Sequence, residues 1–421
     1  MENNEERRER FILAGVHTGA RDVLSDTTEE SVKELAKLVE TAGGESVGEM
    51  IQNKSEIESA TYMGEGKLAE LSEFVANMDA DAVVFDDELS PVQLRNISDI
   101  LKCKVLDRSM LILDIFALHA HSGEGKLQVE LAQLKYRLPR LRGMGAEMSR
   151  TGGGIGTRGP GETRLESDRR HIHRRISALE AEIKDMKKHR ELIRGRRKKD
   201  GTVTAAIVGY TNAGKSTLLN LLTDSDILAE DKLFATLDPT SRALTLEDNT
   251  RILLVDTVGF IRKLPHNLVE AFKSTLEEAT VADFLIHVID ASDPQMDNNI
   301  RVVEQVLTEI GAIGKRTVEV YNKIDKITDY KSAGFIAGRS GSVMISAKSG
   351  LHKEKLLKAI SDAAPGKKQR VKALIPFSEG NIINELHENQ KVISEEYTAG
   401  GVVAEVMVDS EMYERIRGYC L

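Results

Sequence analysis

A chain of 421 residues, 41% of them apolar, exceeds one ordinary domain and can bury several cores, so roughly two to four domains are expected. The two cysteines, Cys103 and Cys420, stand far apart with no C-x-x-C partner, which argues against a disulfide framework or zinc site. The charged start MENNEERRERF and the lack of any apolar run of about eighteen residues argue against a leader or membrane span, and a cytoplasmic location is expected. The net charge of −9 hides an imbalance: residues 135–199 hold 20 Lys and Arg against 8 Asp and Glu, a local +12 that leaves −21 for the remainder.

Residues 11–105 alternate the apolar runs FILAGVH, SVGEMI and AVVFD with the helix-like stretches SVKELAKLVETAG, GKLAELSEFVANM and PVQLRNISDIL. That alternation predicts a small α/β domain over residues 1–122. MGEGK, Met63 to Lys67, lacks the spacer of a phosphate-binding loop and reads as a turn leading into a helix.

A helical hairpin is expected over residues 123–199. Leu127, Leu131, Leu134, Leu138 and Leu141 form one apolar seam, and Ile172, Ile176, Leu179, Ile183 and Met186 form a second. Between them RTGGGIGTRGPGETRLE cannot sustain either periodicity and is read as a Gly-rich loop at the tip. The excess of Lys and Arg here is the footprint of a polyanion partner, although a solvated helix face gives the same composition. Basic side chains would neutralise RNA phosphates, and a glycine-rich tip can approach RNA closely. Apart from Tyr136 the hairpin lacks aromatic residues for stacking, so shape recognition is expected over base readout. His119, His121, His171 and His173 recur at i, i+2, which puts neighbours on different helix faces and argues against a metal cluster. RGRRKKDG, Arg194 to Gly201, has no apolar anchor and is expected to be a linker. The seams need no second chain, so a monomer is expected.

Residues 200–365 carry the chemistry. The strand-like VTAAIVG leads into GYTNAGKS (Gly209, Tyr210, Thr211, Asn212, Ala213, Gly214, Lys215, Ser216) and then the helical TLLNLL, the context that G-x-x-x-x-G-K-S requires. Loop amides can surround phosphates, Lys215 can reach the β and γ oxygens, and the Ser216 hydroxyl can ligate Mg2+. The strand RILLVD ends in Asp256, Thr257, Val258 and Gly259, where Asp256 can hold Mg2+ through water and the Gly259 amide can meet a γ-phosphate. VEVYNKID then places Asn322, Lys323, Ile324 and Asp325 at another strand end. A buried Asp325 carboxylate could accept both N1–H and N2–H of guanine, whereas adenine would present a lone pair, which selects GTP and GDP. The Lys323 stem could cover the base, and Ser346, Ala347 and Lys348 follow SVMI, where a backbone N–H can meet O6. Four motifs in the required order, each after an apolar strand, predict a P-loop GTPase. Residues 366–421 (VKALIP, NIINELHEN, KVISEEY, VVAEVMVD) suggest a small C-terminal α+β domain, so the expected fold class is α/β multidomain.

The four motifs resemble those of the translation-factor-related GTPases. By that resemblance LFATLDPTSR contains switch I, with Phe234, Ala235, Thr236, Leu237 and Asp238 against the nucleotide and Thr236 as a direct Mg2+ ligand, Thr240 being the competing candidate. Asn212 resembles the asparagine through which some related GTPases use K+. FATLDPT, DTVGFIRKLP and GGGIGTRGPGETRLE together resemble the HflX family of ribosome-associated GTPases, across the N-terminal module as well as the GTPase domain. The resemblance implies binding to the large (50S) ribosomal subunit and nucleotide-dependent dissociation or rescue of ribosomes. An RNA-binding scaffold or assembly checkpoint that splits nothing is the alternative, and a signalling GTPase with a protein partner is a third reading. Many GTPases place a water-orienting glutamine directly after the D-x-x-G glycine; here Phe260 stands there, so slow intrinsic hydrolysis stimulated by the ribosome is expected.

Overall fold

The computed structural model describes residues 7–19, 28–141, 160–199, 202–223, 233–234, 238–247, 249–263, 273–327, 342–365, 369–408 and 410–421. Three sheets follow one another along the chain. In the first, β1 (Arg10–His17), β2 (Glu45–Asn53), β3 (Ala82–Phe85) and β4 (Lys104–Asp107) pair in the order β2-β1-β3-β4, all parallel. The four residues of β3 are all buried, as a parallel strand covered on both faces demands. Helix α1 (Thr28–Thr41) buries Val32, Leu35, Leu38 and Val39, the apolar stripe of an amphipathic helix. α2 (Glu65–Met78) starts after Gly64, so MGEGK is a turn entering a helix, and α3 (Pro91–Leu101) starts with a Ser90–Gln93 capping box and proline in its first turn. α4 (Arg108–His119) has no counterpart among the predicted elements. It buries Leu111, Ile112, Leu113, Ile115 and Phe116 and packs on α1 and the next helix, so it lacks the polar face that makes a helix legible.

The hairpin pairs α5 (Gly123–Arg140) with α6 (Pro160–Lys199). They run antiparallel: Glu124 early in α5 pairs with Arg190 late in α6, and Lys135 pairs with Glu180. Leu131, Ile176 and Leu179 are buried between them, with Leu127, Leu134, Leu138, Ile172 and Ile183 packed around. The seam is shorter than its heptads suggest. Leu141 lies outside this cluster, and Met186 is 37% exposed where α6 instead presents Lys187 to Glu277 of the following domain.

Two expectations are corrected. Pro160 to Glu166 belongs to α6 and not to the loop, because proline at a first helical turn has no N–H to leave unpaired. The expected linker is helical through Lys199, since straight-chain Arg and Lys are good helix formers even with no apolar face. The remainder of the Gly-rich segment, residues 142–159, lies outside the described residues.

The second sheet has the order β10-β9-β8-β5-β7-β6. β5 (Val203–Gly209), β7 (Arg251–Asp256), β8 (Phe284–Asp290), β9 (Thr317–Asn322) and β10 (Val343–Met344) are parallel, and β6 (Thr240–Thr245) is antiparallel to β7. α7 (Lys215–Thr223), α8 (Lys273–Val281), α9 (Met296–Glu309) and α10 (Lys353–Ala363) belong to the same unit. The third sheet, β11 (Gln369–Ile375), β12 (Lys391–Thr398) and β13 (Gly401–Val408), is antiparallel in the order β11-β13-β12 and packs with α11 (Gly380–Asn389) and α12 (Ser410–Ile416). One apolar cluster continues from Val32 and Leu35 through Phe116 and Phe234 to Val258, Phe260 and Leu285, so the first and second units share a core. Among the described residues no helix is long and apolar enough to cross a membrane.

Candidate nucleotide site

The carboxyl ends of β5, β7, β8 and β9 converge on one edge of the second sheet, the edge at which parallel sheets hold ligands. The loop after β5 is tight. Asn212 has φ +60° and Gly214 φ +94°, and a Cβ on Gly214 would stand 2.4 Å from the Asn322 amide nitrogen. Lys215, 6% exposed, donates to the carbonyls of Tyr210 (3.0 Å) and Gly209 (3.3 Å). Burial pushes its ammonium down to about 8. The Ser216 hydroxyl donates to Asp256 Oδ2 at 2.7 Å, and Asp256 is buried. A hydroxyl beside a carboxylate is an all-oxygen donor set suited to a hard cation such as Mg2+.

The D-x-x-G turn lies directly over the phosphate loop. Thr257 turns its hydroxyl inward to the Ile207 carbonyl (2.7 Å) and Val258 is buried. A Cβ on Gly259 would stand 2.7 Å from Thr211 Cα, so only glycine allows this approach. Phe260 donates its N–H to Gly209 O (3.1 Å) and accepts from Thr211 N (2.7 Å), while its ring is buried in the shared core. The position that carries glutamine in many GTPases is a packing position here.

At the other end of the site Asn322 joins three segments. Its amide donates to Ala213 O (2.9 Å) and its side-chain oxygen accepts from Ala347 N (2.9 Å). Lys323 (φ +62°) reaches back to Asn212 O (2.8 Å) and pairs with Asp290 (2.8 Å). Ile324 is half-buried, Ser346 buried and Lys348 exposed. Asp325 is exposed in the one-turn helix that leaves the sheet edge, and a hydrogen bond from Ser346 holds its carboxyl below the usual range.

Phe234, 2% exposed, donates its N–H to Thr211 Oγ1 (3.0 Å) and packs edge-on against Phe116 of α4, ring centroids 4.7 Å apart. Asp238 accepts hydrogen bonds from the start of α5. Ala235, Thr236 and Leu237 lie outside the described residues. Thr240 opens β6 with its backbone in register with Asp256.

Comparison with known proteins accounts for nearly all of this architecture. Residues 29–117 match a family model described as GTP-binding GTPase N-terminal, residues 119–197 one described as GTP-binding GTPase Middle Region, and residues 204–323 one described as 50S ribosome-binding GTPase. The GTPase HflX of Caldanaerobacter subterraneus subsp. tengcongensis is 50% identical over 421 residues, spanning 100% of this chain and 96% of that protein. The chain belongs to the HflX family of GTPases. The Escherichia coli GTPase HflX is 41% identical over 381 residues, covering 90% of this chain and 89% of its own. Among solved structures, a GTP-binding protein of the archaeon Sulfolobus solfataricus in complex with GDP aligns with 84% of this chain and 98% of its own, at 28% identity and a TM-score of 0.45. As an HflX-family member the chain is a GTP-binding GTP hydrolase.

The structure adds residues that the motif reading of this HflX-family chain did not include. Arg108 at the start of α4, 1% exposed, donates to Asp86 (2.9 Å) and pairs with Glu34 of α1. Glu34 also accepts from the hydroxyl of Tyr210, and that hydroxyl accepts from Arg262 N (3.1 Å). Lys263 donates to Asp86 (2.5 Å) and Asp87 (2.6 Å). Burial works against the Asp86 carboxylate, but Arg108 and Lys263 outweigh it and hold its pKa below the ordinary range. The network ties the phosphate loop and the segment after D-x-x-G to the N-terminal sheet. The available signal was the acidic pair closing AVVFDD and the arginine after VLD, charges at the carboxyl ends of parallel strands. Beside it a cavity of about 310 Å³ is lined by Lys33 and Lys37 of α1, Thr211, Asn212, Arg262 and His287. Burial lowers His287 to about 4, so it is neutral at pH 7.

Proposed function

We propose that this GTPase binds the ribosome, mainly its large (50S) subunit, and couples its GTP-bound state to ribosome dissociation or rescue. The observation that carries this reading is mechanical. Segments that would sense the nucleotide are fastened to the N-terminal module and hairpin: Tyr210 to Glu34, Lys263 to Asp86 and Asp87, Phe234 to Phe116, and Asp238 to the start of α5. That hairpin, with the Gly-rich segment joining its helices, holds the local excess of positive charge, which suits rRNA phosphates.

In this reading the amides of residues 209–216 and the Lys215 ammonium hold the phosphates. Ser216 and Thr236 would hold Mg2+ directly and Asp256 through water, and the ion would supply charge neutralisation on the phosphates. Asp325 accepts from guanine N1–H and N2–H, the Ala347 amide meets O6, and the Lys323 stem covers the base. The Asn212 side chain offers an oxygen to K+, which a comparison of rates in K+ and Na+ tests. Intrinsic hydrolysis is slow because Phe260 supplies no group to orient water, and the ribosome orders the switches.

Mixing the full chain, a non-hydrolysable GTP analogue and mature ribosomes while following light scattering tests the central claim. Subunit release with the analogue and none with GDP is expected. Absence of release, with co-sedimentation on large subunits retained, would replace splitting by the scaffold reading. Binding to large subunits that ignores both salt and nucleotide would remove the ribosome reading altogether.

A further inference from the structure

We infer that the amino end of α5 is a dock for switch I whose occupancy follows the nucleotide, so that the phosphate state is passed directly to the basic hairpin. The inference rests on the ribosome reading only for what the hairpin does next.

Asp238 Oδ2 accepts the backbone N–H groups of His121 (2.9 Å) and Ser122 (2.7 Å), and its Oδ1 accepts the Ser122 hydroxyl (2.5 Å). α5 already has a cap of its own, since Ser122 Oγ accepts from Gly125 N at 2.8 Å. Asp238 is therefore an additional anion, brought from more than a hundred residues away onto the positive end of an 18-residue helix. The fit depends on Gly125: a Cβ there would lie 2.4 Å from Asp238 Oδ1. On the other side of residues 235–237, Phe234 is anchored on Phe116 and Thr211. Switch I is thus bracketed, with one anchor on α4 and the phosphate loop and the other on α5.

Asp238 stands two residues after Thr236, and two residues reach at most about 7 Å. Drawing the Thr236 hydroxyl to a metal held at Ser216 and Asp256 therefore constrains where Asp238 can be. On this inference the metal and the dock draw on one short segment in opposite directions. By linkage, any change in nucleotide preference caused by docking equals the change in docking caused by the nucleotide.

Hydrogen exchange of the full chain without ribosomes, resolved to the His121 and Ser122 amides, tests the dock. Exchange should be slow with GDP and about fivefold faster with a non-hydrolysable GTP analogue and Mg2+, the scale of losing one cap. Gly125→Ala places a methyl group 2.4 Å from the Asp238 carboxylate and 3.0 Å from the Ser122 hydroxyl, while Ala remains the better helix former. Ser122→Asp keeps a good capping residue but repels Asp238. In both variants the two amides should exchange fast and equally in the two nucleotides. Equal exchange in the unmutated chain overturns the dock, as does a nucleotide-dependent difference that survives Gly125→Ala. No ribosome enters the measurement, so failure of large-subunit binding leaves this result intact, and failure of the dock leaves the ribosome reading intact.

Discussion

The two ends of the candidate site are built differently. At the base end the bonds stay within the GTPase sheet and its loops: Asn322 to Ala213 and Ala347, Lys323 to Asn212 and Asp290. At the phosphate end Tyr210, Lys263, Phe234 and Asp238 reach residues of the first 122 positions. On the proposed assignment, selecting a nucleotide is a property of one domain. Responding to its phosphates is then a property of two. The arrangement suits a switch, because a bond that crosses a domain boundary can be exchanged for another without disturbing recognition.

If the base end is autonomous, the largest single effect belongs to Asp325→Asn. The carboxylate is proposed to accept two hydrogen bonds, each contributing about 1.5–3 kcal/mol when one partner is charged, so GDP affinity should fall roughly 10²- to 10⁴-fold. Xanthine nucleotides, which carry an acceptor in place of the 2-amino group, should bind better to the variant than to the parent. Equilibrium binding of both nucleotides decides it, and an unchanged GDP affinity would remove Asp325 from the base site.

The phosphate end is broken most severely at Arg108, which is 1% exposed between Glu34 and Asp86. Arg108→Met removes the guanidinium shared by the buried Asp86 and the part-buried Glu34, and removal of one partner from such a network costs about 3–5 kcal/mol. Urea denaturation of the full chain should show the loss, with the early transition assigned to the N-terminal module. Acid should act in the same direction. Asp86 has a depressed folded pKa, so its contribution is present above the unfolded carboxylate value and is lost as pH falls through the folded one.

Tyr210→Phe separates the two ends more finely. The ring stays in the core, but Glu34 loses a donor and Arg262 N an acceptor, a cost of about 1–3 kcal/mol. Stability should fall by that amount while discrimination between guanine and adenine nucleotides is unchanged. A drop in discrimination would mean that the base end is not independent of the N-terminal module.

What the sequence revealed follows the same division. The G-x-x-x-x-G-K-S and D-x-x-G segments follow apolar strands, because a parallel sheet announces each ligand-binding loop by the strand before it. The seam from Leu127 to Leu138 against Ile172 to Ile183 was equally legible, since heptad spacing directly encodes which face is covered. Contacts between Lys263 and Asp86, 177 positions apart, carry no local signal and could not be read. Neither could α4, whose apolar residues occupy nearly every side, nor the helical course of Arg194 to Lys199, where composition without an apolar stripe suggested a linker. Asp325 follows β9 in the turn where its motif puts it, because the strand before it marks the loop.

The smallest effect tests whether burial governs the phosphate end before any partner arrives. Lys215 sits among loop carbonyls with its ammonium pushed down to about 8, so it is mostly charged at pH 7 and increasingly neutral above pH 8. The same shift means that the native chain strains against a buried charge at low pH, and that this strain is relieved as pH rises through the folded value. A bound polyphosphate favours the charged form. Binding therefore takes up a proton once the free lysine has begun to lose it, and GDP affinity should weaken about fourfold between pH 7 and pH 8.5. Fluorescence titration with a labelled GDP across that range measures it. The proposed Asp325 contact, through a carboxylate ionised throughout, contributes no slope there. A flat profile would mean that the loop carbonyls already hold the ammonium charged, and a fall confined to lower pH would point to a different group.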